Sequence, residues 1–348
     1  MNLEALYDRV SERLSALDFR QIWPGFAPLK FALYDAERCF FDGRYIEKTA
    51  DFCANTSIVY QGEQIAIWMV QEEPEASVLA SKLVHEMFHG FQRLQGWDCW
   101  PDEMEALFHW EYSAENLSLK LRENELLLRL LNGFDEAALR ELLGHRKLRS
   151  GKYPYECAYE SKVEEIEGSA NYVEWQALKQ LDAEKAAELT GRMRDVMTKA
   201  ERLFPIRVSC YFSGALLIHA LRSAGLYSFE AASRPVLGTV LEPIEASDGS
   251  FPGREALERT LSASVAVFRR ESAAIVEDAL ARNEIVLRGP AELVGLNVYN
   301  ARRYRDYLTS TYFLMYRDEA GDHMIQGDFV IRMQDEKTIS AVYRWGSR

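Results

Sequence analysis

The sequence predicts an α+β fold, mainly helical, with a small N-terminal β-sheet, a long helical core and a small antiparallel β unit at the C-terminus. Three observations carry this prediction. β-Forming residues concentrate between 29 and 71, helical periodicity runs almost unbroken from Glu75 to about Ala281, and short β-rich runs return after Gly289-Pro290. With 348 residues the chain is long enough for about two domains and for a core that needs no disulfide or metal to hold it. Its 48% hydrophobic and 27% charged residues are ordinary globular values, which excludes disordered, collagen-like and fibrous classes.

The elements follow in order. Leu3, Leu6, Val10, Leu14 and Leu17 recur at helical spacing, so the first element is an amphipathic helix. Leu29 to Tyr34, Ser57 to Tyr60 and Gln64 to Val70 read as strands, the last two joined by a hairpin turn at Gln61-Gly62-Glu63. Helices are expected near 76–96, 102–131, 135–149, 158–181, 183–203, 209–224 and 254–281, with Gly96, Gly133, Gly151 and Gly225 at the breaks. Residues 234–253 hold Pro235, Pro243 and Pro252 with Gly238, Gly249 and Gly253, the composition of a linker or a long surface loop. In the tail, Glu292 to Val298, Leu308 to Tyr316, Gly327 to Met333 and Thr338 to Trp345 read as strands, with a turn at Gly321-Asp322. This β unit is either a separate subdomain or a cap on the helices.

Composition also bounds the partners. Lys plus Arg is 41 against 54 Asp plus Glu, a formal charge of −13 that repels phosphate backbones, so nucleic acid is not the expected partner. The five cysteines, Cys39, Cys53, Cys99, Cys157 and Cys210, are scattered without CxxC spacing and read as reduced thiols. The N-terminus lacks a basic region followed by an apolar stretch, and no run of about 18 uncharged apolar residues occurs. A cytoplasmic location away from membranes is the expectation.

One segment carries chemistry. Residues 81–92 read Ser-Lys-Leu-Val-His-Glu-Met-Phe-His-Gly-Phe-Gln. His85 and His89 lie four apart, on one face of a helix, where two imidazoles can chelate one metal ion. Glu86 is rotated about 100° from His85, which places its carboxylate beside the metal, in reach of the metal's water. Val84, Met87 and Phe88 are apolar, so the helix is expected to be buried, and burying two histidines and a glutamate is costly unless a cation and its water satisfy them. The alternative is a structural His/Glu hydrogen-bond network. A catalytic zinc needs a third protein ligand and an open position. A third His six residues after the second is not available, because that position is Gln95 and the position three on is Gln92. The positions 19 and 20 residues on are Phe108 and His109, with Glu111 and Glu115 near.

A segment further on, Glu167-Gly168-Ser169-Ala170-Asn171-Tyr172, resembles the Glu-Gly-x-Ala-x-Tyr stretch of many gluzincin-type peptidases, and with the HExxH segment it makes the chain similar to HExxH zinc metallopeptidases of the gluzincin clan. The resemblance implies Glu167 as third zinc ligand, with Glu164, His109, Glu111 and Glu115 as alternatives. Small residues Gly168, Ser169 and Ala170 are expected to let this helix approach the His helix, and Asn171 to hold the free N–H of a ligand histidine. Tyr211-Phe212-Ser213-Gly214-Ala215 resembles the Tyr-x-x-Gly-Ala stretch after the third-ligand helix in several such families. That makes Tyr211 the first choice for stabilising the oxyanion, with Tyr172 and His219 as alternatives. In this fold the last strand before the His helix is the sheet edge that pairs with an extended substrate, a place occupied here by residues 64–70.

The resemblance therefore implies a zincin-type catalytic core. Residues 1–233 form a metallopeptidase domain (sheet 29–71, helical core 76–224), residues 234–253 a loop or linker, and residues 254–348 a helix plus the C-terminal β subdomain. The implied reaction is hydrolysis of a peptide bond with one Zn²⁺ per chain held by His85, His89 and Glu167, Glu86 as general base and Tyr211 beside the developing oxyanion. Cobalt or manganese suit the same ligands. Two other readings stay open: a catalytically degenerate binding or regulatory protein on this fold, and a zinc hydrolase of a non-peptide amide.

Overall fold

A computed structural model describes residues 2–227 and 244–346. The fold is α+β and mainly helical, with a five-stranded sheet near the N-terminus and a seven-stranded antiparallel sheet at the C-terminus. Pro235, Gly238 and Pro243 of the expected loop lie outside the described residues, and 244–253 run without helix or strand into the last helix.

Helix α1 (Leu3–Ser15) is capped by Asn2, whose side chain accepts from Ala5 N, and buries Leu3, Leu6, Val10 and Leu14 at the expected spacing. A short α2 (Phe19–Ile22) leads into the first sheet. Its strands are β1 (Phe31–Tyr34), β2 (Cys39–Phe41), β3 (Arg44–Ile46), β4 (Thr56–Tyr60) and β5 (Glu63–Met69), in the order β3-β2-β1-β5-β4. All pairings are antiparallel except β1 with β5. Strand β1 is buried on both faces. Phe31 and Leu33 enter the main core under α1, while Ala32 and Tyr34 join a second cluster with Phe52, Ile65 and Ile67.

Two corrections follow. The β2–β3 hairpin was not expected, although Asp42-Gly43, both at positive φ, forms its two-residue turn. And β5, read above as the sheet edge, is an inner strand between β1 and β4, so its backbone is already paired on both sides. The edges are β3 and β4.

The helical core comprises α3 (Ala76–Leu94), α4 (Glu103–His109), α5 (Ala114–Leu131), α6 (Glu136–Lys152), α7 (Pro154–Val163), α8 (Ser169–Leu181), α9 (Ala183–Thr198) and α10 (Ile206–Ser223). The single helix expected over 102–131 is two. Trp110 is extended, and Ser113 starts α5 as an N-cap accepting from Asn116 N. Helices α7 and α8 are joined through a π-helical turn, Glu164–Gly168. Such a turn carries one extra residue and recurs at functional sites.

The π turn meets α10 backbone to backbone. A Cβ on Gly168 would lie 2.6 Å from Gly214 Cα, and one on Gly214 would lie 2.5 Å from Glu164 O. This corrects the expectation for Gly168, whose missing side chain serves the contact with α10. It is Ser169 that faces α3, through Gln92.

A buried set of charges fixes the same turn. Glu164 accepts from Arg146 Nη2 at 2.6 and 2.5 Å and from Lys120 Nζ at 2.9 Å, and Ser213 donates to it as well. Glu123 and Glu160 complete the cluster through Arg149 at 3.0 and 2.7 Å. Three cations balance three carboxylates, as full burial requires.

The long helix α11 (Arg254–Arg282) packs Leu261 and Val265 against α4, α5, α7 and α10, and its distal Val276 and Ala279 against the C-terminal sheet. That sheet has the strands β6 (Ile285–Leu296), β7 (Arg303–Tyr304), β8 (Tyr307–Ser310), β9 (Phe313–Asp318), β10 (Gly321–Gln326), β11 (Phe329–Met333) and β12 (Thr338–Arg344), ordered β10-β9-β6-β12-β11-β8-β7. It has more strands than the four expected. Strand β6 runs straight through Gly289-Pro290, because the β6–β12 register shifts there and leaves Pro290 at an irregularity where no ladder N–H is needed. Met104, Leu107 and Phe108 of α4 pack into this sheet's core and tie it to the helices. No helix among the described residues is long and apolar enough to cross a membrane.

The close approach at Gly214 gives a test. Gly214→Ala pushes a methyl into the Glu164 carbonyl and should destabilise the protein by about 1–3 kcal/mol in denaturant melts. Gly191→Ala, in an open stretch of α9, should be neutral or stabilising by up to about 1 kcal/mol.

Candidate metal centre

Helix α3 presents His85 and His89 one turn apart on its buried face, beneath the π turn. Their Nε2 atoms stand 3.1 Å from one another, and Glu167 Oε2 lies 3.7 Å from His85 Nε2 and 3.3 Å from His89 Nε2. Tetrahedral zinc with ligand bonds near 2.0–2.1 Å sets its donors about 3.3 Å apart. The three separations bracket that value, so the donor set fits a zinc ion in composition and in spacing.

The rings are oriented from behind. Gln92 Nε2 donates to Ile166 O at 2.9 Å and to Ser169 Oγ at 3.0 Å, which turns its Oε1 toward His89 Nδ1 at 2.8 Å. Gln92 thus offers an acceptor to His89 Nδ1, which would leave Nε2 to a metal ion held with His85 and Glu167. His85 Nδ1 faces Glu174 Oε2 at 3.2 Å, and Glu174 is held by Lys82 at 2.7 Å. Asn171, expected in this orienting role, lines the cleft instead, its amide nitrogen buried and without a hydrogen-bond partner among the described residues. Gln92 and Glu174 were missed. The clue was available for Glu174, which lies seven residues, two helical turns, after Glu167.

The ionisable groups in this space shift one another strongly. Burial alone would favour neutral His85, but Glu167 and Glu174 outweigh it and push its pKa up to about 10. Burial would raise Glu167, yet His89, His85 and Arg207 hold it well below the usual carboxylate range. Glu174 is likewise held at about 2 against burial, by Lys82 and His85. Glu86 is raised by burial, partly offset by the histidines, and makes no hydrogen bond or ion pair with a described residue.

His85, Glu86 and Glu174 line one side of a cleft of about 710 Å³ that runs from Asn55 and Trp68 at the sheet to Arg192 and Asp195 of α9. Tyr211 lines it, whereas Tyr172 and His219 do not. Tyr172 is buried with its hydroxyl on Arg222, and His219 packs against Trp175. Arg207, one turn before Tyr211, donates from Nη2 to Tyr211 Oη at 3.0 Å and to Glu167 Oε1 at 2.8 Å, and also pairs with Glu103. Tyr211 shares a further hydrogen bond of 3.0 Å with Tyr299, from the turn after β6. Burial, then Glu167, keep the Tyr211 hydroxyl protonated far above neutral pH.

The alternative ligands are placed elsewhere. Glu164 is locked in the buried charge cluster, Glu115 pairs with Lys152 and Arg254, and His109 pairs with Glu336 at 3.0 Å. Glu111 lines a different cavity, between α4 and α11. His85, His89 and Glu167 form the one such donor group found among the described residues. No protein-family model, curated protein or solved structure matches the chain. The class of the site therefore rests on its own geometry.

The protonation of His85 sets a pH test. With its folded pKa near 10 against 6.5 unfolded, His85 stabilises the metal-free protein fully below pH 6.5, and that contribution is lost as pH rises through 10. Zinc uptake at about pH 8 must displace this proton, so calorimetry in buffers of different ionisation enthalpy should show release of about one proton per site. Glu174→Gln removes one of the carboxylates that raise His85, so it should reduce that release and weaken zinc binding about 10–100-fold.

Proposed function

We propose that this chain is a zinc-dependent hydrolase of the gluzincin type, a metallopeptidase with one Zn²⁺ held by His85, His89 and Glu167. The observation that carries the reading is three converging N, N and O donors at zinc spacing, one of which, His85, shares its cleft with Glu86, a carboxylate without a hydrogen-bond or ion-pair partner among the described residues. Bound zinc supplies an acidified water and a Lewis acid for a carbonyl oxygen. The rest is done by the chain's own groups. Glu86, its basicity raised by burial, would take the water's proton and pass it to the leaving amine. Tyr211, fixed by Arg207 and protonated, offers its hydroxyl to the oxygen on which charge develops. Arg207 also holds Glu167 Oε1, which leaves Oε2 turned to the histidines. The volume of the open cleft, about 710 Å³, suits a peptide segment or another amide. We place the activity in the cytoplasm, on the ground that all five cysteines are unpaired, and away from nucleic acid because of the net charge of −13.

The test is hydrolysis of a peptide library by the zinc-loaded protein, read by mass spectrometry. The wild type should cleave, and Glu86→Gln should lose about 10²–10⁴-fold in kcat while keeping its zinc. Tyr211→Phe should lose about 10²-fold in kcat with little change in KM. A zinc-loaded wild type that cleaves no peptide, or a Glu86→Gln variant as active as the wild type, would refute the reading.

A further inference from the structure

Tyr299 comes from the C-terminal β unit, in the turn after β6, and lines the cleft with His85, Glu86 and Tyr211. Its turn is stitched to the residues that follow β8. Asn297 N donates to Ser310 Oγ at 3.2 Å, Asn297 Nδ2 donates to Thr311 Oγ1 at 3.1 Å, and Asn297 Oδ1 accepts from Tyr299 N at 3.2 Å. Val298 and Ala301, on either side, belong to the apolar cluster of the C-terminal sheet. The backbone of Tyr299 is thus held from the sheet, while its side chain, 55% exposed as a residue, carries its hydroxyl to 3.0 Å from Tyr211 Oη.

Hydrogen-bond accounting gives this contact a role. A phenol hydroxyl has one donor and two acceptor positions, and a guanidinium can only donate. Arg207 Nη2, at 3.0 Å, therefore fills one acceptor position of Tyr211 Oη. The bond between Tyr211 and Tyr299 uses one hydroxyl hydrogen of the pair, and the other has no acceptor among the described residues. If Tyr211 donates to Tyr299, its hydrogen is taken from any substrate oxygen. If Tyr299 donates to Tyr211, both acceptor positions of Tyr211 are filled and its hydrogen is the one left for the cleft.

We propose that Tyr299 is a positioning residue for the hydrolysis proposed above, donating its hydrogen to Tyr211 Oη while Tyr211 donates to the substrate oxygen that gains negative charge, so that the C-terminal β unit completes the active site. The role rests on the hydrolase reading. A hydroxyl whose oxygen accepts hydrogen bonds gives its own hydrogen more strongly, and one of the two bonds here comes from a cation. Donors set in place before charge develops need no reorganisation during the reaction. Tyr299 acts through Tyr211 and does not itself touch the reacting atoms.

The experiment compares zinc-loaded wild type, Tyr299→Phe, Tyr211→Phe and the double variant in two readouts. One is kcat and KM on the peptide that the wild type cleaves best. The other is calorimetric affinity for methylphosphonate, whose tetrahedral oxygens imitate the developing charge and whose binding needs no turnover. Tyr299→Phe keeps the ring and should keep the wild-type melting temperature and zinc content. It should lose about tenfold in kcat with KM changed by less than about twofold, and should bind methylphosphonate about tenfold more weakly. The double variant should be no worse than Tyr211→Phe alone in either readout. A tyrosine that only holds the C-terminal unit in place would instead lower the melting temperature and give losses that add to those of Tyr211→Phe. Additive losses, or an active wild type matched by Tyr299→Phe in both readouts, would overturn the positioning role and leave the hydrolase reading standing. A wild type that binds methylphosphonate with the expected dependence on both tyrosines, yet cleaves no peptide, would overturn the hydrolase reading and support the hydrogen-bond chain. A wild type that neither cleaves nor binds would overturn both.

Discussion

Glu167 reaches the two histidines because the π turn that carries it is held from the opposite side. Glu164 lies three residues earlier and points into the buried cluster of Lys120, Arg146 and Ser213, while Glu167 points toward α3. Between them the backbone rests on Gly214 of α10 with no side chain in the gap. A charge buried this completely tolerates no loss of partner. The cluster therefore fixes the turn's rotation, and the turn's rotation fixes where the Glu167 carboxylate sits. The same turn offers Ile166 O to Gln92, which sets the ring of His89. Remove the π turn and two of the three donors lose their positions together.

Arg207 is the second organising group. One guanidinium joins α4 through Glu103, the π turn through Glu167 and the next turn of its own helix through Tyr211. Tyr211 in turn meets Tyr299 from the C-terminal unit. The β-rich tail is therefore part of the cleft wall, and α4 and α11 seat it against the helices. Tyr299 is 55% exposed at the cleft, with its hydroxyl on Tyr211 and the Arg207 guanidinium 6.0 Å from its ring centre.

The parts of the site that sequence exposes are those set by one helix. His85, Glu86 and His89 follow from helical spacing alone, and Glu167 from a short motif on one further element. What brings a second helix to bear is harder to read. Gln92 and Glu174 orient the rings across the α3–α8 contact, and Arg207 and Tyr299 come from elements 40 and 132 residues beyond Glu167 in the chain. Asn171 does not take the orienting role for the same reason, since Gln92 and Glu174 occupy the two ring nitrogens it was expected to serve. The main helices and the first sheet were legible from periodicity, whereas the break at Trp110–Ser113 and the β2–β3 hairpin were marked by local signals, a Ser N-cap and an Asp-Gly turn, that continuous apolar patterning outweighed.

The central claim is that His85, His89 and Glu167 together hold one zinc ion. Elemental analysis of the purified protein tests it, comparing the wild type with His89→Ala and Glu167→Ala after each is dialysed against zinc and freed of excess metal. The account predicts one zinc per chain in the wild type and a loss of stoichiometric zinc in both variants. Zinc retained by Glu167→Ala, or no zinc in the wild type, would contradict it.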